Sequence, residues 1–95
     1  MAKTYIKILL ACKDYIQRNF GVMSLSLFGS VARGDDNQDS DIDICVDMAP
    51  DMLKRYALKE YLESVLHKSV DVVRMRKDMN NTLRLEIERD GIHVF

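Results

Sequence analysis

The sequence predicts a small α/β (α+β) domain in which helices flank a mixed β-sheet, and three observations carry that prediction. Stretches with apolar residues at helical spacing alternate with short runs at spacing two. The short runs are half apolar, as strands with one covered face should be, and no linker, repeat or low-complexity tract divides the chain. At 95 residues, positions 1–95 read as one domain, near the size at which a single core is only modestly stable alone. A composition 47% hydrophobic and 31% charged, with one proline, belongs to a folded chain rather than a disordered one. Fourteen basic against fifteen acidic side chains leave a net charge of -1, which withholds the broad positive field used by non-specific nucleic-acid binders. Nucleic acid is therefore a disfavoured partner. No apolar run approaches the ~18 residues of a membrane span and no signal-peptide core opens the chain, so a cytoplasmic protein with no membrane association is expected. Cys12 and Cys45 are too few for a disulfide framework and are expected as buried, reduced thiols.

The first helix is expected over residues 4–20, because Tyr5, Leu9, Cys12, Ile16 and Phe20 fall on one helical face and Gly21 follows where a left-handed cap would sit. Residues 22–28 are short, apolar and serine-interleaved, which fits a strand that turns sharply at Gly29. A short helix then begins at the Gly-Ser pair and stops at Gly34. The polar run after it is rich in turn formers, so Asp35, Asp36 and Asp39 are expected as solvated loop residues and Ser40 as a residue closing the turn. Residues 41–48 alternate with period two, placing Ile42, Ile44 and Val46 on one face and Asp41, Asp43, Cys45 and Asp47 on the other. Pro50 and Asp51 open a helix whose apolar stripe is Leu58, Tyr61, Leu62, Val65 and Leu66, with His67 near its end. Residues 69–75 form a third strand, Asn80 or Asn81 caps a helix that stops at Gly91, and residues 92–95 make a last short strand.

The chemistry follows from the aspartates. Residues two apart on a strand project from one face with Cα atoms roughly 6.5 Å apart, so Asp41 and Asp43 can grip metal ions together. Without a cation the pair would repel and one member would tend to protonate; an all-oxygen donor set suits Mg²⁺. Asp71 stands alone among valines, a costly place for a charge unless something satisfies it. If its strand lies beside the second one, Asp71 completes a three-carboxylate site and could take the proton from an incoming hydroxyl. Gly29 lets the backbone approach a phosphate, Ser30 offers its hydroxyl and N–H at a helix start, and Arg33 one turn later brings forked donors to the same side. A Gly-Ser alone is a common turn, and an Asp-x-Asp alone is often a solvated surface strand; their combination with a later acid in an apolar strand points to phosphoryl chemistry. Arg74 and Arg76 follow that acid closely enough to touch substrate, whereas His67 and His93 share no face with other ligand-type side chains and are not expected to bind metal. The methionines are expected mainly as core filler.

Gly29-Ser30, ten intervening residues, then Asp41-Ile42-Asp43 resembles the signature of the polymerase-beta-like nucleotidyltransferase superfamily. The Ala-Arg-Gly after the Gly-Ser, the SDIDI core, the acid in a following strand and the closing ERDGIHVF segment look like the minimal nucleotidyltransferases, over essentially the whole chain. The resemblance implies the polymerase-beta-like palm fold and a catalytic and metal-binding trio of Asp41, Asp43 and Asp71. It also implies that Gly29 and Ser30 hold the nucleotide phosphates. In that family such proteins are typically antitoxins paired with a HEPN-domain ribonuclease toxin, and silence it by moving AMP from ATP to a hydroxyl of the toxin, commonly a tyrosine.

The reaction so implied is in-line attack by a hydroxyl on the α-phosphorus of ATP, with two Mg²⁺ ions and departure of pyrophosphate. So short a chain has little surface to hold an acceptor, so the partner is expected to supply part of the cleft. Two other readings stay open at this point: a binding module that neutralises a partner by occlusion, and transfer to a small molecule such as an aminoglycoside or to RNA.

Overall fold

The computed structural model describes residues 2–95. Its elements are α1 (Ala2–Ala11), α2 (Lys13–Phe20), β1 (Ser24–Phe28), α3 (Gly29–Arg33), β2 (Ile42–Asp47), α4 (Met52–Leu66), β3 (Val70–Arg74), α5 (Asn81–Asp90) and β4 (Ile92–His93). The strands form one mixed sheet in the order β3-β2-β1-β4, antiparallel at β1/β2 and β1/β4 and parallel at β2/β3. The α/β class expected from the sequence is therefore the class observed.

One expectation is corrected at the N-terminus, where the helix over residues 4–20 is two helices broken at Cys12. Cys12 sits at φ -96° and ψ 3°, outside helical geometry. The break costs little hydrogen bonding, because the Cys12 N–H donates to Ile8 and Leu9 and the Ile16 N–H donates to Cys12. The apolar stripe runs through it: Tyr5, Leu9, Ile16 and Phe20 are all buried. Cys12 itself is only half-buried, while Cys45 is buried and its thiol is pushed up to about 11, first by burial and then by the charge of Asp47. Both are free thiols.

The other ends follow from local chemistry. Gly21 adopts φ 67° and closes α2 by donating to the Gln17 carbonyl. Asp51 caps α4 by accepting from the Lys54 N–H at 3.0 Å, and Asn80 caps α5 by accepting from Thr82 and Leu83 at 2.8 and 3.2 Å. α4 ends on His67 in the left-handed region, at φ 55°. In the loop before β2, Ser40 Oγ accepts from the Asn37 N–H at 3.0 Å and so closes the turn.

The sheet has two unlike faces. Leu25, Leu27, Ile42, Ile44, Val46 and Val70 point into the main core with residues of α1, α2 and α4. The opposite face carries a smaller cluster of Phe28, Cys45, Met79 and Ile87, with Val73 and Leu83 against it, beneath α5. That face also bears the aspartates. Because α5 covers only part of it, Asp41 and Asp71 stay exposed at the end of the sheet where β1 stops and β2 begins.

Candidate active site

β1 delivers the chain to the site and Gly29 turns it. Phe28 is extended, and Gly29 reverses direction at φ 72°, a region side chains disfavour. A second restraint is spatial, since a Cβ at Gly29 would run into the Oδ2 and carboxyl carbon of Asp43. The backbone of the Gly-Ser turn is thus laid directly against the central carboxylate. Ser30 follows in the first turn of α3, which Gly34 closes at φ 82° by donating to Ser30 and Val31.

The register aligns the acids. Asp43 pairs with Phe28 on one side and with Asp71 on the other, so Phe28, Asp43 and Asp71 are in register across the sheet, with Gly29 one residue beyond Phe28 and against the Asp43 carboxyl. Side chains paired across neighbouring strands emerge on one face, which places the Asp43 and Asp71 carboxyls side by side. Asp41 lies one residue before β2 and is exposed, as is Asp71; Asp43 is half-buried. The condition on which Asp71 joins the other two acids, β3 lying beside β2, holds.

Electrostatics single out Asp43. Burial raises its pKa first, and the negative charges of Asp71, Asp41 and Glu86 raise it further, against a smaller lowering by Arg33. Three acids around a half-buried carboxyl, offset only in part by Arg33, favour a hard divalent ion there. Among the described residues no three His, Cys, Asp or Glu side chains are already gathered to hold a metal ion. Asp41, Asp43 and Asp71 offer only carboxylate oxygen, the donor type that a hard divalent ion such as Mg²⁺ takes.

Arg33, at the end of α3, is engaged within the chain. Its guanidinium donates to Asp90 and Asp35, each at 3.2 Å, which raises its pKa and ties α3 to the end of α5. Asp90 is held below the ordinary carboxylate range, first by hydrogen bonding from Arg89 and then by Arg33. Sequence reasoning missed this tie, and it missed Glu86, whose charge reaches Asp43. For Glu86 the signal was present in helical spacing, since Leu83, Glu86, Ile87 and Asp90 share one face of α5.

The polymerase beta nucleotidyltransferase family profile matches residues 11–95. The chain belongs to this family. It is 38% identical to a protein adenylyltransferase, MntA, of Thermococcus cleftensis over 89 residues, covering 92% of this chain and 89% of that one. It is 42% identical to a protein adenylyltransferase homologue of Methanocaldococcus jannaschii over 69 residues, covering 70% and 80%. Among solved structures, a toxin-antitoxin bound to AMP-PNP superimposes with a TM-score of 0.73 at 27% identity, covering 90% of this chain and 72% of that one. A minimal nucleotidyltransferase superimposes with a TM-score of 0.70 at 30% identity, covering 95% and 88%. The chain is thus a nucleotidyltransferase. No helix among the described residues is long and apolar enough to cross a membrane.

Proposed function

We propose that this nucleotidyltransferase is the antitoxin of a toxin-antitoxin pair and moves AMP from ATP to a hydroxyl, a tyrosine's above all, of a HEPN-domain partner. The observation that carries the reading is the setting of Asp43: the Gly29 backbone, able to approach phosphate, lies against its carboxyl, Asp71 pairs with it across the sheet, and burial and neighbouring negative charge disfavour its ionised form. Adenylyltransferases among the relatives and an AMP-PNP complex among the structural neighbours support it.

Asp41, Asp43 and Asp71 would hold Mg²⁺, two ions in the reading from sequence, and metal bound there would neutralise the triphosphate and the leaving pyrophosphate. The rest falls to the chain. Gly29 and Ser30 seat the phosphates, and Arg33 is placed to add its fork to them by exchanging one of its carboxylate partners. The acceptor hydroxyl attacks the α-phosphorus, its oxygen forming the new P–O bond while the bond to the bridging oxygen of pyrophosphate breaks. Asp71, on the outer strand, takes the hydroxyl proton.

The test is co-incubation with a HEPN-domain partner, ATP and Mg²⁺, followed by intact-mass measurement. The partner should gain whole AMP units with the native chain and none with Asp41→Asn or Asp43→Asn. A partner that stays unmodified yet is neutralised equally well by both variants would replace transfer with occlusion.

A further inference from the structure

Beside Asp71 the sheet ends in a free edge, and a groove of about 460 Å³ runs along it. Four consecutive residues of β3, Asp71 to Arg74, line it, so the groove wraps the rim of the strand rather than lying on one face. The Ile42 N–H donates to Ser69 and the Met75 N–H to Val46. In a parallel ladder that pattern turns alternate residues inward and leaves Val70, Val72 and Arg74 with backbone groups facing out. The Val70 N–H is taken by the Glu63 carboxylate at 3.0 Å. The N–H groups of Val72 and Arg74 have no such partner among the described residues.

The walls are as informative as the rim. Arg55, Lys59, Arg74 and Arg76 face the groove against the single carboxylate of Asp71. Lys59 is partly neutralised by Glu63 at 3.6 Å and Arg76 by Asp78 at 3.5 Å, while Arg55 and Arg74 have no ion-pair partner among the described residues. A second depression of about 220 Å³ shares Arg55, Arg74 and Arg76 and extends the same surface over Pro50. Met79 and Leu83 line the same groove, as do Met52 and Tyr56, which are 78% and 62% exposed. On a chain of net charge -1 this is a local cationic surface with apolar footing.

We propose that the rim of β3 docks an extended, acidic segment of the protein that accepts the nucleotide, adding it to the sheet as a further strand and bringing its hydroxyl residue to Asp71. This rests on the reading of the chain as a protein adenylyltransferase. An exposed strand edge offers main-chain hydrogen bonds to an incoming segment of any sequence; flanking side chains then choose among segments. Here the choice falls on acidic residues for Arg55 and Arg74 and on apolar residues for Met52, Tyr56 and Met79. The apolar footing favours a polypeptide over a nucleic-acid backbone. Docking at this rim also leaves the opposite side of Asp43, where Gly29 lies, to the nucleotide.

The test titrates the ¹⁵N-labelled chain, without ATP or metal, with a peptide of about seven residues alternating Glu and Val around a central Tyr, long enough to span the strand. The amides of Val72 and Arg74 should shift and become protected from exchange. The same peptide N-methylated along its backbone, a Lys-for-Glu peptide, and the Arg55→Glu/Arg74→Glu chain should each weaken binding by about tenfold or more. Asp43→Asn should bind the peptide as the native chain does, so a failure of catalysis and a failure of docking are read separately. With the acceptor protein itself, Arg55→Glu/Arg74→Glu should raise the KM for acceptor and leave that for ATP unchanged. Shifts absent from the rim amides, equal binding of the Lys peptide, or preferential binding of a single-stranded oligonucleotide there would overturn the proposal.

Discussion

Gly29 and Asp43 constrain each other, and substitutions at either separate what the site needs from what the fold needs. Gly29→Ala meets both a left-handed backbone and the Asp43 carboxyl. The cost is expected at about 1–3 kcal/mol in urea unfolding, with Asp43 displaced and transfer lost. Asp43→Asn should do the reverse for stability. The folded-state pKa of Asp43 is raised, so the native chain binds its proton more tightly than the unfolded chain does. Stability without metal should therefore fall as pH rises through that raised pKa, the opposite of an ion-paired carboxylate. Urea titrations in chelator should show this slope in the native chain and lose it in Asp43→Asn, which should be the more stable protein at neutral pH although inactive. A steeper slope in the variant would contradict burial and neighbouring negative charge as the origin of the shift.

Elements place these residues, and their ends do so through identifiable caps. Asn80 satisfies two N–H groups at the start of α5, whose far end holds Asp90 against Arg33. Asn80→Ala should cost about 1 kcal/mol, seen as a fall in Tm of roughly 4–8 °C, and should loosen Arg33 through α5. The cap, the β2 alternation and the turn at Gly29 were all legible in sequence, because each depends on residue type over a few positions. The break at Cys12 was not, since periodicity reports which face is buried and the face continues through the break. Nor was the Arg33–Asp90 pair, whose members are 57 residues apart and meet only once the sheet has ordered its strands. The adjacency of Asp71 to Asp43 sat between these cases. The lone acid among valines marked a position needing a partner, but only the parallel pairing of β3 with β2 supplied it.

Across the whole molecule, one well-filled core holds the sheet while the face that bears the aspartates is thinly covered. Leu62 and Ile44 are fully buried in the main core, whereas the carboxylate face rests on a small cluster under α5. Leu62→Ala should remove about 2–5 kcal/mol from a domain whose total stability is of the order of 5–15 kcal/mol. Activity and thermal stability should fall together, unlike in Asp43→Asn, where they part. The open rim of β3 and the exposed apolar residues of α4 fit a chain that completes its working surface with a partner. In the proposed reaction Asp43, between Gly29 and Asp71, supports attack at the α-phosphorus of ATP. Parallel incubations of chain, HEPN-domain partner and Mg²⁺ with ATP labelled at the α- or the γ-phosphate test that role most directly. Label should reach the partner from the α position alone and disappear in Asp43→Asn; label arriving from the γ position, or persisting in Asp43→Asn, would contradict it.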